Sequence, residues 1–404
     1  MRVTRRVATT CAALLAATSV AACGGSDNNS SNSGGSSSSS GSVPSVSTSD
    51  FTSNFSAMTT LKSLAQQGKG NVAVLLPDTT TSARYVTFDA PYLKEAFKKA
   101  GLSSSQYSVQ NAQGSASTMQ TQAEAAITGC ASVLLVDALD SGSGAAIEKN
   151  AEAKGVKVID YDRLTLGGPP DRYYVSFENV QVGKLIGDGL VGCIQDWGVK
   201  NPNVLVMDGD ATDNNAKQFA EGYNSVLDPK FKSGEYTKVG EPAGTWDADQ
   251  AQTTFAQQYT AHPDMNAVVM PNDDTANGVI SYLQSKKIPA KTFPTTGQDA
   301  SLSGLQNILK GYQCGTVYKP VYLEAQAAAA IALYLRAGQP VPSGLAQSTT
   351  LDSETNTDVK TSIQTPVWVN TSNMADTVVK DNAVNVSDLC TPALQQACKA
   401  AGIQ

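Results

Sequence analysis

Between residues 71 and 159, short β-branched and leucine-rich runs alternate with helix-length amphipathic stretches, which restricts the chain to few architectures. Residues 72–76 read as a strand, 91–100 as a helix stopped by Gly101, and 107–109 as a short strand. Residues 116–128 read as a helix, 133–136 as a strand apolar enough to be buried on both faces, 144–154 as a helix ended by Gly155, and 156–159 as the next strand. Strands separated by helix-length connections pair in parallel, and helices cover both faces of a parallel sheet.

After a strand over 173–177 the rhythm restarts near Asn179. Strands are expected at 204–207, 236–239, 267–270 and 293–296, with helices at 182–194, 216–227, 249–259 and 275–285. The chain therefore holds two consecutive α/β units that meet at 177–181. Later pieces follow: a strand at 316–318, an alanine-rich helix at 323–335, a polar loop-like stretch at 347–360 and a short strand at 367–369. These can return to either unit, and several crossings would build a hinge of several strands. The expected division is an N-terminal lobe of 69–178 with 320–360 and a C-terminal lobe of 179–319 with 361–404.

The N-terminus assigns the compartment. Arg2, Arg5 and Arg6 precede an apolar run over 7–17, too short to span a bilayer, and the segment ends in Val20-Ala21-Ala22-Cys23. That order reads as a signal peptide (1–22) with Cys23 as the lipidation site, tethering the chain to the outer face of the cell membrane. A Ser/Gly/Asn tract follows, and 23–68 is expected to be a flexible linker. About 45 such residues have a reach of roughly 35–40 Å. Cleavage at Cys23 removes three arginines and no acids, taking the formal charge from −7 to −10. So acidic a body, without a basic run, argues against nucleic-acid binding.

Beyond Cys11 and Cys23 lie Cys130, Cys193, Cys314, Cys390 and Cys398. Disulfides persist outside the cell, and pairing among five leaves one over. Cys390 with Cys398 is the first candidate pair and Cys193 with Cys314 the second. A single His262, no CxxC and no glycine-rich phosphate loop give no support to zinc, histidine catalysis or a nucleotide cofactor.

In open parallel sheets, ligands bind beyond the carboxyl ends of the strands. There the sequence places Pro77-Asp78, Asp160-Tyr161-Asp162-Arg163, Asp208 and Asp210, Asp213-Asn214-Asn215, Asn272-Asp273 and Gly297-Gln298-Asp299. Asp and Asn also begin turns and cap helices, but their recurrence at one end of both sheets suits a ligand with a ring of hydroxyls. Tyr85 and Trp246 are candidates to stack on its C–H face; as alternatives, Tyr85 is a surface aromatic and Trp246 a core residue. Two competing chemistries fit less well. An Asp162/Asp299 hydrolase pair needs one raised pKa, which Arg163 opposes. A calcium loop through Asp208, Asp210 and Asp213 lacks the central Gly and terminal Glu of an EF-hand.

These residues resemble the type I periplasmic sugar-binding proteins of ABC importers, most closely the xylose-binding members. The resemblance runs from Asn71 to about Val379. It is carried by 158–163, 174–179, 213–217, Asn272-Asp273, Gly297-Gln298-Asp299-Ala300 and 316–320. It implies an α/β fold of two Rossmann-like lobes with parallel sheets, joined by three crossover strands and closing on one monosaccharide. On it, Asp162 and Arg163 contact the sugar from the first lobe, and Asn215, Asn272 and Asp299 from the second, with Asn214 beside them. Lys319 sits at the hinge, Trp246 stacks on the ring, and Tyr85 takes the place of a family tryptophan. The Thr-rich segment 78–84 departs from the family pattern, which leaves the particular sugar open. The expected partners are a xylose-like monosaccharide and an importer permease, for a monomeric non-enzyme that needs no cofactor. A sugar receptor serving a sensor is the alternative, and an extracellular hydrolase the more distant one.

Overall fold

The computed structural model describes residues 43–79 and 81–403; the expected signal peptide and Cys23 lie outside the described residues. An entry segment with a short helix, α1 (Lys62–Gln67), leads into β1 (Asn71–Leu76), α2 (Ala90–Lys99), β2 (Tyr107–Asn111), α3 (Ala116–Thr128), β3 (Ala131–Val136), α4 (Ser141–Ala153), β4 (Lys157–Tyr161) and β5 (Tyr173–Phe177). The second series is α5 (Asn179–Asp196), β6 (Asn203–Val206), α6 (Asn214–Ser233), β7 (Thr237–Gly240), α7 (Ala248–Ala261), β8 (Ala267–Val269), α8 (Asp273–Ser285), α9 (Leu302–Lys310) and β9 (Thr316–Tyr318). Then come α10 (Val321–Arg336), β10 (Ser348–Asp352), β11 (Thr357–Gln364) and β12 (Val367–Val369).

The first sheet runs β10-β11-β5-β4-β3-β1-β2, parallel except for the antiparallel β10–β11 pair. Its central strands β1 and β3 are almost wholly buried apolar runs, as a sheet covered on both faces requires. The second lobe has a parallel β7-β6-β8 sheet, extended by bridges from Val268 to Thr295 and from Gln298 to Val317, and a β12–β9 pair. Residues 293–296, expected as a strand, thus contribute a single bridge. Helices α5 and α6 approach until only glycine fits: a Cβ on Gly183 would lie 2.0 Å from the Phe219 carbonyl oxygen, and one on Gly222 2.2 Å from that of Val180.

The chain crosses between lobes three times: from β5 into α5, from β9 into α10, and from β11 into β12. The fold is α/β, two Rossmann-like lobes with parallel sheets on a three-crossover hinge. The last crossing follows Gln364, which pairs with Phe177, not residue 360 as the sequence suggested.

Two expectations change. The linker does not extend to residue 68, because Val46, Phe51, Phe55, Met58, Leu61 and Leu64 are buried in the first lobe's core. Tyr334 Oη donates to the Pro44 carbonyl (2.5 Å) and Gln326 Nε2 to that of Thr52 (3.0 Å). The 3–4-residue spacing of the apolar side chains from Phe51 to Leu64 is what seats the segment. Residues 347–360, expected as a loop, form the β10–β11 hairpin instead. Its outer face is polar apart from Leu351, but Val359 and Thr361 are buried. Buried Arg172 fastens the hairpin, bonding Asp160 on β4 (2.9 Å), Asp352 on β10 (3.0 Å) and the carbonyls of Thr165 (2.6 Å) and Pro169 (2.5 Å).

Both candidate disulfides form. Cys193–Cys314 spans 121 residues and Cys390–Cys398 spans 8. Chain-entropy reasoning assigns roughly 5 and 2.5 kcal/mol to loops of these sizes. Replacing Cys193 and Cys314 by Ala should therefore lower the urea midpoint more than replacing Cys390 and Cys398; equal losses in equilibrium unfolding would contradict this.

Candidate functional site

The carboxyl ends of the two sheets face one cavity, lined from the first lobe by Ser82, Arg84, Tyr85, Asp162 and Arg163. The second lobe contributes Asp213, Asn215, Phe219, Trp246, Asn272, Gln298 and Asp299, and Lys319 enters from the β9–α10 crossing. Of the residues singled out in the sequence, Tyr85, Asp162, Arg163, Asn215, Trp246, Asn272, Asp299 and Lys319 meet here. Asn214 does not: as first residue of α6 it lies outside the lining, while its neighbour Asn215 points in. Asp213 and Gln298 were placed at the strand ends without a contact assigned to them, and Ser82, Arg84 and Phe219 were not foreseen. Ser82 and Arg84 fall in the segment that departs from the family pattern, so no motif marked them.

The strand-end residues cap helices and line the cavity together. Asp213 accepts from the Asn215 amide (2.8 Å) at the start of α6, and Asn272 from that of Thr275 (2.9 Å) at the start of α8. Asn272 Oδ1 also takes the Thr275 hydroxyl (2.6 Å), which leaves its Nδ2 as the group available in the cavity. Asp162 and Asp299 turn inward through left-handed backbone, with φ of 59° and 93°. Such conformations cost about 1–3 kcal/mol and persist where surroundings impose them. Here amide bonds do so, from Asp162 to the Val175 carbonyl (2.9 Å) and from Asp299 to that of Val317 (2.8 Å).

Three cations organise the charges. Arg84 binds Asp89 (2.6 Å), Asp162 (2.7 Å) and Glu324 (2.8 Å), all buried. Arg163 lies between Asp137 (3.4 Å) in the first lobe and Asp213 (3.2 Å) in the second. Lys319 lies between Asp162 (3.7 Å) and Asp299 (3.2 Å), again one from each lobe. Burial alone would raise the Asp162 carboxyl, but Arg84, Lys319 and Arg163 hold it well below the usual range. Burial pushes Asp137 and Glu324 upward against their cationic neighbours.

Tyr85 is buried, not a surface aromatic. Its hydroxyl donates to Asp162 (3.0 Å) and accepts from Arg163 (3.2 Å), and the Arg84 and Arg163 guanidinium carbons lie 5.3 and 5.8 Å from its ring centre. Trp246 is half-buried at the wall: its Nε1 donates to Asp213 (3.2 Å) and its ring meets Phe219 at 74°. Gly209 backs the indole, since a Cβ there would lie 2.3 Å from it. Gln298 Oε1 is buried without a hydrogen-bond partner, and Asp299 Oδ1 has only the Lys319 ammonium beside it (3.2 Å). Buried polar atoms are nearly always paired, so Gln298 Oε1 lacks a complement.

The calcium-loop alternative does not assemble. Asp208 accepts from the Tyr223 hydroxyl, Asp210 from that of Thr212 (2.7 Å), and Asp213 is engaged as above. Among the described residues no group of three or more acidic, His or Cys side chains is placed to hold a metal.

Two α/β lobes on a three-strand hinge, with inward-facing polar ends of both sheets, define a two-lobed solute-binding protein. The periplasmic binding protein domain family matches residues 72–340, and the chain belongs to that family. It is similar to the D-xylose-binding periplasmic protein of Escherichia coli, at 35% identity over 72% of this chain and 86% of the relative. It is 29% identical to the multiple sugar-binding periplasmic receptor ChvE of Rhizobium radiobacter, over 62% of this chain and 73% of the relative. Among solved structures, a carbohydrate transporter solute-binding protein from Chloroflexus aurantiacus, in complex with D-glucose, superposes with a TM-score of 0.68. It has 27% identity and covers 78% of this chain and 97% of its own. The chain is a solute-binding protein and not an enzyme.

The charge lattice makes a prediction about stability. Arg84→Met strands three buried carboxylates, and breaking a buried pair costs about 3–5 kcal/mol. Urea unfolding of this variant should show a loss of that size; a loss under about 1 kcal/mol would show that Arg84 is dispensable.

Proposed function

We propose that the chain captures one uncharged monosaccharide, D-xylose or a similar aldose, between its lobes and presents it to an ABC importer. The convergence of polar side chains from both sheets on one cavity carries this reading. Each cation of the site already has carboxylate partners, which disfavours a phosphate or carboxylate on the ligand. Gln298 Oε1, Asn272 Nδ2 and the part of the Asp299 carboxylate that Lys319 leaves open remain for hydroxyl groups, which both donate and accept. Trp246 offers an apolar face for the C–H side of the ring. The relatives that bind xylose, glucose and several sugars support the same class. A solute touching both lobes favours the closed arrangement, because it has both sets of contacts only there.

The N-terminal pattern adds a lipid anchor at Cys23, which keeps the protein beside a membrane partner. The relative named a receptor favours a second reading, in which the loaded protein is offered to a sensor; the cavity would serve both. The hydrolase alternative falls with the family, and Asp162, held ionised, is a poor proton donor.

A thermal-shift screen of the mature protein over neutral aldoses, sugar acids and sugar phosphates tests the class. A ligand at one hundred times its dissociation constant adds about 2.7 kcal/mol, so a cognate neutral aldose should raise the melting temperature by several degrees. A response confined to charged sugars would refute the reading. With the cognate sugar, Asp299→Ala should weaken binding by more than about 1.5 kcal/mol, since a charged hydrogen-bond partner is lost. Wild-type affinity by calorimetry would remove Asp299 from the site.

A further inference from the structure

At the mouth of the cleft, a bond between the lobes lies outside the cavity lining. The Ala83 amide, between β1 and α2 of the first lobe, donates to Asp274 Oδ2 in the first turn of α8 in the second lobe (2.7 Å). The burial of the neighbours places this bond at the rim. Ser82 and Arg84 are buried and face the cavity, while Ala83 between them is half-buried and Val86 and Thr87 are exposed. On the other side Asn272 lines the cavity, Asp273 is buried and Asp274 is half-buried. Neither residue belongs to a crossing strand, so lobe separation breaks the contact.

Some links between the lobes lie beside the chain crossings, as from the Tyr322 hydroxyl to Asp381 (3.2 Å) and from Asn179 Nδ2 to the Tyr174 hydroxyl (3.1 Å), and others use the lining itself. Arg163 reaches Asp213 (3.2 Å), and Asn215 Nδ2 donates to the Asp162 carbonyl (2.9 Å). A solute can alter both, because it competes for the same atoms; it does not compete for the Ala83 amide. Asp274 also suits its place electrostatically, since a carboxylate in the first turn of a helix is favoured by the helix dipole. Burial, with a push from Asp299, raises its carboxyl to about 6, so it is ionised at pH 7.5.

We propose that Asp274 is a latch at the mouth of the cleft, accepting the Ala83 amide only when the lobes are closed and so setting how long any solute is retained, whatever its identity. This rests on the solute-capture reading above. A latch formed after entry acts on release and not on encounter, and its effect is the same for every ligand.

The test compares wild type, Asp274→Ala and Asp274→Asn at pH 7.5 with D-xylose and D-glucose, following association and dissociation by stopped-flow tryptophan fluorescence. Loss of a hydrogen bond to a charged group at a half-buried site should speed dissociation about fivefold or more. The proposal expects the same factor for each sugar that binds, with association unchanged. Asn keeps an acceptor oxygen and should restore most of the retention. Ligand-free melting temperatures separate a latch from a mere helix stabiliser: the proposal expects Asp274→Ala to lose only the small helix-dipole contribution, too little to account for the faster release. Wild-type dissociation in the Ala variant, a loss confined to one sugar, or a ligand-free destabilisation that accounts for the change would overturn the latch and leave the solute-capture reading standing. Failure of the wild type to bind either sugar or any member of the thermal-shift panel would overturn that reading and the latch with it.

Discussion

Buried charge is the constraint around which this molecule is arranged. Arg84, Arg163 and Lys319 sit among Asp89, Asp137, Asp162, Asp213, Asp299 and Glu324 in a region almost closed to water. Charges taken from water are tolerated only with partners in good geometry. Arg84 meets that condition within the first lobe, using Glu324 on α10 after the chain has returned across the hinge. Arg163 and Lys319 each draw one carboxylate from either lobe. The closed arrangement is therefore written into the ion pairs, and the cavity is what remains once the cations are shared.

The parallel topology explains why one set of residues both folds and binds. Each strand of a parallel sheet hands over to a helix at its carboxyl end, and that helix start needs an acceptor for its free amides. Asp213 and Asn272 supply it with one face of the side chain and present the other to the cavity. Replacing such a residue would disturb the helix start along with the site, so affinity and stability are linked at these positions.

The alternation of strands and helices was readable because its periods differ and because glycine stops several helices. The strand-end acids were readable because topology assigns them a common end. The ordered entry segment was obscured by the Ser/Gly/Asn tract before it, although Phe51, Phe55, Met58, Leu61 and Leu64 already carried a helical spacing. The β10–β11 hairpin escaped because its polar outer face looks like a loop, and burial of Val359 and Thr361 is a tertiary fact. Arg84 escaped for a similar reason: its partners lie 5, 78 and 240 residues away, and no local pattern announces them. Asn214 and Asn215 could not be separated by composition; the start of α6 turned one outward and the other in.

The entry segment has a mechanical corollary. Residues 44–64 are packed into the first lobe alone, against α10, so the polypeptide joins the folded body on that side of the hinge. Any restraint applied further upstream is transmitted to the first lobe. In the capture proposed above, that lobe is the stator and the other the moving jaw, carrying Trp246, Asn272 and Asp299 with it.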